Sequence, residues 1–217
     1  MRIGVFKEVL DTMDASEWRA VVENLLYMLA LLNPASKILF LASYEPRLTR
    51  KQNLELSWKS SLAAFLILAL LAAVGDFILR RIFRVELYSL QITGGLVVFL
   101  LGWTAIREGR FIQKQQNEMR ESFTDISLVP LAAPLIAGPG TIAAAIASTG
   151  QYGLGPTCMA LAGAILVNFI LMLFAHSINT FLTKTHLIGP LIRLTGLVIS
   201  AVAMQMILNG LRTCFNF

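Results

Sequence analysis

Two short runs of this chain could bind a small polar solute: Asn33-Pro34-Ala35-Ser36 and Gly138-Pro139-Gly140-Thr141. Each sets a helix breaker within a long apolar stretch. Proline lacks an N–H and clashes with the carbonyl four residues back, so a helix kinks or breaks there. Glycines on both sides of a proline leave the backbone unshielded and admit left-handed dihedrals. A broken helix offers free N–H groups and a partial positive charge at the start of its downstream half, which suits a carboxylate. Its unwound carbonyls suit an ammonium group or a proton-bearing water. An amino-acid zwitterion needs both, and the lack of bulk at Ala35, Gly138 and Gly140 favours a small one. Residues 33–36 and 138–141 are therefore the candidate substrate-binding set. A plainer reading stands beside this one, because proline and glycine are common in membrane spans and can kink a helix for packing alone.

Other polar groups carry weaker signals. Asp76, after Gly75, has two readings: a proton-coupling site inside the membrane, or an interfacial ion pair with Arg80 or Arg81. Gly94, Gly95 and Gly196 read as close helix–helix contacts. Asn168 and Gln205 either hydrogen-bond between helices or line a path. His176 has no second histidine at ligand spacing and is expected to pack or to hydrogen-bond between helices; no metal site and no cofactor are expected. Cys158 and Cys214 lie far apart in apolar segments, as free buried thiols rather than a disulfide. There is no H-E-x-x-H, P-loop or nucleophile elbow, so an enzyme is not expected.

These residues must be positioned by elements whose solvent is lipid. The chain is 56% hydrophobic and 14% charged, against about 25% charged in ordinary globular domains. Between Asp125 and Lys184 it has no Asp, Glu, Lys or Arg. A crossing takes about 20 apolar residues, and continuous apolar runs mean helices rather than a barrel. The net charge of +5 is spread between the apolar runs, which fits helix flanks and not a nucleic-acid surface.

Six spans are expected, at 22–44, 60–80, 87–107, 126–148, 157–181 and 192–212. They divide the chain into an N-terminal segment 1–21, a three-helix unit 22–107, a polar linker 108–125 and a second three-helix unit 126–217. The N-terminal segment lacks a signal-peptide core, and Val5, Leu10 and Met13 could line an interfacial helix. The units look related. Thr93-Gly94 precedes Thr195-Gly196 by 102 residues, and Asn33-Pro34 precedes Gly138-Pro139 by 105. Three crossings are odd in number, so the second copy enters the membrane upside down. The expected fold is all-α: a polytopic membrane protein of six transmembrane helices in two inverted three-helix repeats, with broken first and fourth helices.

Basic residues set the orientation. Arg47, Arg50, Lys51, Lys59, Arg107, Arg110, Lys114, Arg120, Lys184 and Arg193 flank one side. Arg2, Lys7, Arg19, Arg80, Arg81, Arg84 and Arg212 flank the other. The richer side belongs in the cytoplasm, which leaves both termini outside. Lys37 is expected to snorkel toward the richer side.

At these motifs the sequence resembles the MarC family, also called the six-span neutral amino acid transporter family. The resemblance rests on Asn33-Pro34, on Gly75-Asp76, on Gly94-Gly95, and on Val129-Pro130-Leu131-Ala132-Ala133-Pro134-Leu135-Ile136-Ala137-Gly138-Pro139-Gly140. It departs at Ser36, where the family commonly has Gly, and at Gln91, where it usually has Arg. The resemblance implies a bacterial inner-membrane protein that moves small neutral amino acids such as glycine and alanine with proton coupling. A passive channel for small polar solutes and a non-transporting membrane scaffold are the alternatives. The expected partners are the solute, a proton and the bilayer, with no nucleic acid; the sequence leaves oligomeric state open.

Overall fold

A computed structural model describes residues 15–42, 49–109 and 137–215 of the chain. The described residues are helical throughout, with no strand among them. In order they form α1 (Ala15–Leu32), α2 (Pro34–Ala42), α3 (Arg50–Phe77), α4 (Leu87–Glu108), α5 (Pro139–Tyr152), α6 (Leu154–Leu173), α7 (Ala175–Lys184) and α8 (Ile188–Phe215). Five stretches are long and apolar enough to cross a membrane: Trp18–Ala42, Arg50–Phe83, Leu87–Glu108, Leu154–Leu173 and Ile188–Phe215. The chain is thus a multi-pass helical membrane protein. Of the expected fourth span, only the part from Ala137 onward is described. Pro130, Pro134, most of the linker and Val5, Leu10 and Met13 lie outside the described residues.

Local chemistry explains the helix ends. Thr49 opens α3 with a capping box: its Oγ1 accepts from the Gln52 N–H at 3.3 Å, and Gln52 Oε1 accepts from the Thr49 N–H at 2.9 Å. That cap starts α3 at Arg50, well before the apolar run that placed the expected span at 60. α3 passes into a π-helical turn, Ile78–Phe83, which ends at left-handed Arg84 (φ 53°). α4 ends at Gly109 (φ 65°), whose N–H bonds the Ala105 carbonyl at 3.0 Å.

The outside of the bundle is apolar and the inside is small. On α3, Leu62, Leu66 and Leu70 recur every fourth residue and are exposed, as a lipid-facing ridge should be. The opposite face buries Ser57, Ser60, Ser61, Ala64, Leu68, Ala72 and Gly75. Trp18, Trp58 and Trp103 are exposed near span ends, where interfacial tryptophans sit. Lipid gives no hydrophobic drive for helix association, so close packing of small residues must supply it.

α4 and α8 make the most extensive helix contact among the described residues. A methyl group on Gly102 would stand 2.8 Å from the Gly196 carbonyl, and one on Gly196 would stand 2.8 Å from the Gly102 carbonyl. One on Gly95 would stand 2.9 Å from the Ala203 carbonyl. A methyl on Gly94 would meet Ala143 Cβ of α5 at 2.5 Å and Met206 Cε of α8 at 3.1 Å. Elsewhere α1 packs on α6, and α3 packs on both α5 and α6.

Candidate functional site

The first break lies between α1 and α2 and is closed by its own side chains. Asn33 is left-handed at φ 50°. The residue before a proline is pushed out of the helical region, and asparagine tolerates that alternative better than most residues. The Ser36 N–H, which an unbroken helix would give to the Leu32 carbonyl, goes instead to the Asn33 carbonyl at 3.2 Å and to Asn33 Oδ1 at 3.4 Å. Ser36 Oγ also donates to the Asn33 carbonyl, at 2.8 Å. That leaves the Leu32 carbonyl to Lys37, whose Nζ donates to it. Lys37 is only 4% exposed. The expected snorkelling does not occur, because the carbonyl freed by the break is nearer than the interface and needs a donor.

The second break has the opposite character. Gly138 is extended (φ −70°, ψ 166°), Pro139 takes the first helical position of α5, and Gly138, the N-cap residue, has no side chain to cap the helix. Thr141 Oγ1 donates back to the Gly138 carbonyl at 2.8 Å, and Thr141 is buried. Neither Gly138 nor Gly140 has a positive φ, so the left-handed backbone admitted by the sequence is not used here. Gly140 is needed for space, since a methyl group on it would stand 1.9 Å from Val98 Cγ2. A methyl on Gly138 would meet only Thr141 Oγ1, at 3.9 Å. The one left-handed residue at either break is Asn33.

The two breaks lie at the same depth. Ser148 Oγ on α5 donates to Asn24 Oδ1 on α1 at 3.0 Å, both groups buried. Nine residues separate Asn24 from Asn33, and nine separate Ser148 from Pro139. At 1.5 Å per residue each break is about 13.5 Å along its helix from that bond. For two antiparallel helices the displacements run the same way. The breaks also share a neighbour, for Leu31 packs on the cluster of Val98, Ile199 and Ala203, and Gly140 abuts Val98.

Asp76 is not at this centre. It accepts from Arg80 Nε at 2.7 Å near the end of α3, and both side chains are about half exposed. Of the two readings offered by the sequence, the ion pair with Arg80 is present. Gln205 is exposed and donates within its own helix to Asn209 at 2.9 Å, so it neither bridges helices nor faces the breaks. Cys214 is exposed and Cys158 half-buried; the expectation of two buried thiols does not hold. Among the described residues no cluster of His, Cys, Asp and Glu could hold a metal ion.

The family model for the MarC family integral membrane protein matches residues 18–215, nearly the whole described bundle. The chain belongs to the MarC family. It is 31% identical over 192 residues to the UPF0056 membrane protein PH0214 of Pyrococcus horikoshii, a match covering 88% of this chain and 93% of that one. It is 28% identical over 203 residues to the UPF0056 membrane protein YvbG of Bacillus subtilis, covering 90% and 95%. No solved structure matches the chain.

Two features of this MarC protein were not assembled by the sequence reading, though Asn168 is singled out there. On α3, the Oγ atoms of buried Ser57 and Ser61 have no hydrogen-bond partner, nor does Oδ1 of buried Asn168 on α6. Asn53 Nδ2 donates to the Met172 carbonyl at 3.3 Å, so Ser57, one turn inward on α3, lies level with Asn168, one turn back on α6. Orphaned buried polar atoms are uncommon. The three-to-four spacing of Ser57, Ser61, Ala64 and Leu68 was the available signal. The second feature is a cavity of about 630 Å³ where the ends of α4, α5 and α8 meet, lined by Arg80, Glu86, Tyr88, Gln91, Gln151, Asn209 and Arg212 among others. Its residues come from four separate segments, so no spacing in the sequence announces it.

Proposed function

We propose that this MarC-family protein is a secondary transporter or exporter of small neutral amino acids, glycine- or alanine-like, with proton coupling. Its six spans form two inverted three-helix repeats in a bacterial inner membrane, both termini outside. The observation that carries the reading is the pair of helix breaks held level by the Asn24–Ser148 hydrogen bond. Broken helices at the midplane, one from each repeat, are the usual binding architecture of inverted-repeat transporters. The N-terminus of α5, whose N-cap residue Gly138 has no side chain, suits the solute carboxylate.

The packing supports the repeat. α1 of the first repeat packs on α6 of the second, and α5 of the second packs on α3 of the first. Those two contacts exchange under a two-fold axis, as the α4–α8 contact maps onto itself. Alternating access follows if one repeat rocks against the other about the level of the breaks. The polar cavity among Arg80, Tyr88, Gln91 and Arg212 then serves as the vestibule on the side of the termini.

Purified protein in liposomes, given labelled glycine and alanine, should show uptake and counterflow, and an imposed pH gradient should drive accumulation. Flux that only equalises concentration would make it a channel. No flux for any amino acid would leave a scaffold.

A further inference from the structure

The inference concerns Lys37 and rests on reading the breaks as the solute site. Lys37 is a buried amine at the depth of both breaks, and its Nζ holds the carbonyl of Leu32. It takes part in no ion pair among the described residues, whose pairs are Arg19–Glu23, Glu55–Lys59 and Asp76–Arg80. Among the described residues, the elements packed most closely against α2 are α6, α7 and α8. None of them carries an Asp or Glu, and beyond Asp125 the chain has neither. The charged or titratable groups on those helices are His176, Lys184, Arg193, Arg212 and Cys214, all of them exposed, and the half-buried Cys158. A buried ammonium in an apolar interior is costly unless an anion accompanies it.

Two consequences meet at one place. The ammonium has three donors, and the single bond to Leu32 leaves two to give. Meanwhile the carbonyl that the first break frees, which in a broken-helix site would receive a solute's amine or a coupling cation, is already taken by Lys37. We infer that Lys37 is a built-in cation of the transport site, one that binds the solute's carboxylate and displaces its amino group from recognition. The ligand class is then small monocarboxylates, in which an α-amino group is tolerated but not read.

Alanine and propionate differ only in that amino group, and they make the test. Binding to the purified full-length protein in lipid nanodiscs, followed by calorimetry, should give affinities within a few-fold of each other. Lys37→Gln keeps a donor for the Leu32 carbonyl and removes the charge. It should weaken both ligands on the order of tenfold or more, as losing a charge-assisted hydrogen bond does, with its thermal melt kept near that of the wild type. Lys37→Met frees the carbonyl for the solute's amine, so the balance should swing toward alanine by roughly tenfold. Wild-type protein that binds alanine and rejects propionate would overturn the inference and leave the transport reading standing. So would a well-folded Lys37→Gln protein that binds both ligands unchanged. Binding of neither ligand, together with silent liposomes, would overturn both.

Discussion

At the scale of single residues, the breaks use glycine and asparagine for different reasons. Gly140 gives room to Val98, whose Cγ2 would lie 1.9 Å from an added methyl group. Overpacking of this kind costs about 1–3 kcal/mol. Gly140→Ala should therefore lower the melting temperature, and Val98→Ala should restore it, because the remaining Val98 Cβ would stand 3.4 Å away, an ordinary contact. A glycine kept for its backbone would show no such rescue. Asn33 is the reverse case, held at φ 50° with its side chain beside the first turn of α2. Asn33→Ala should cost about 1–2 kcal/mol, the ordinary penalty for placing a residue with a Cβ in the left-handed region. Asn33→Gly should cost less than Asn33→Ala in the same thermal melts, since glycine carries no such penalty.

At the scale of elements, the alignment of α1 with α5 matters more than the ends of either. The Asn24–Ser148 hydrogen bond is the polar link that sets their register. Polar contacts of this kind between membrane helices average about 0.6 kcal/mol in double-mutant cycles. A cycle built from Asn24→Ala and Ser148→Ala should give a coupling of that order in stability. It should also give a coupling in solute affinity, because sliding one helix against the other moves the breaks out of level. Coupling in stability with none in affinity would mean that the depth of the breaks is incidental. Asn24 Nδ2 has no partner of its own, so Asn24→Ala leaves no further protein bond broken.

At the scale of the whole molecule, the prediction is orientation. The side bearing Arg50, Lys51, Arg107, Lys184 and Arg193 belongs in the cytoplasm by the positive-inside rule, and the polar cavity at Arg80, Tyr88 and Arg212 then opens outward. A reporter fused after Phe217 that is active only outside the cytoplasm should be active here. A cytoplasmic reporter signal would invert the protein and make the cavity the inner vestibule. The α1–α6 and α3–α5 contacts hold in either orientation, since they depend only on which helices touch.

The start of α3 at Arg50 and the end of α6 at Leu173, inside the expected fifth span, were not legible in the chain. The solvent, the helical secondary structure and the first break were legible. Those follow from local quantities: a run without charge from Asp125 to Lys184 demands lipid and self-satisfied helices, and a proline after Asn33 breaks a helix whatever surrounds it. The glycines were legible as places without bulk, but whether each served space or backbone freedom depended on a neighbour from another helix, Val98 for Gly140. Tertiary structure alone decided that the breaks are level, because a register between helices is set by contacts 124 residues apart in sequence. It also decided the fate of Lys37. From sequence a lysine near a membrane end should reach for water, since only the distance to the interface is visible. In the fold a nearer acceptor exists: the Ser36 N–H turned to Asn33, the Leu32 carbonyl was left without its helical donor, and the amine went there.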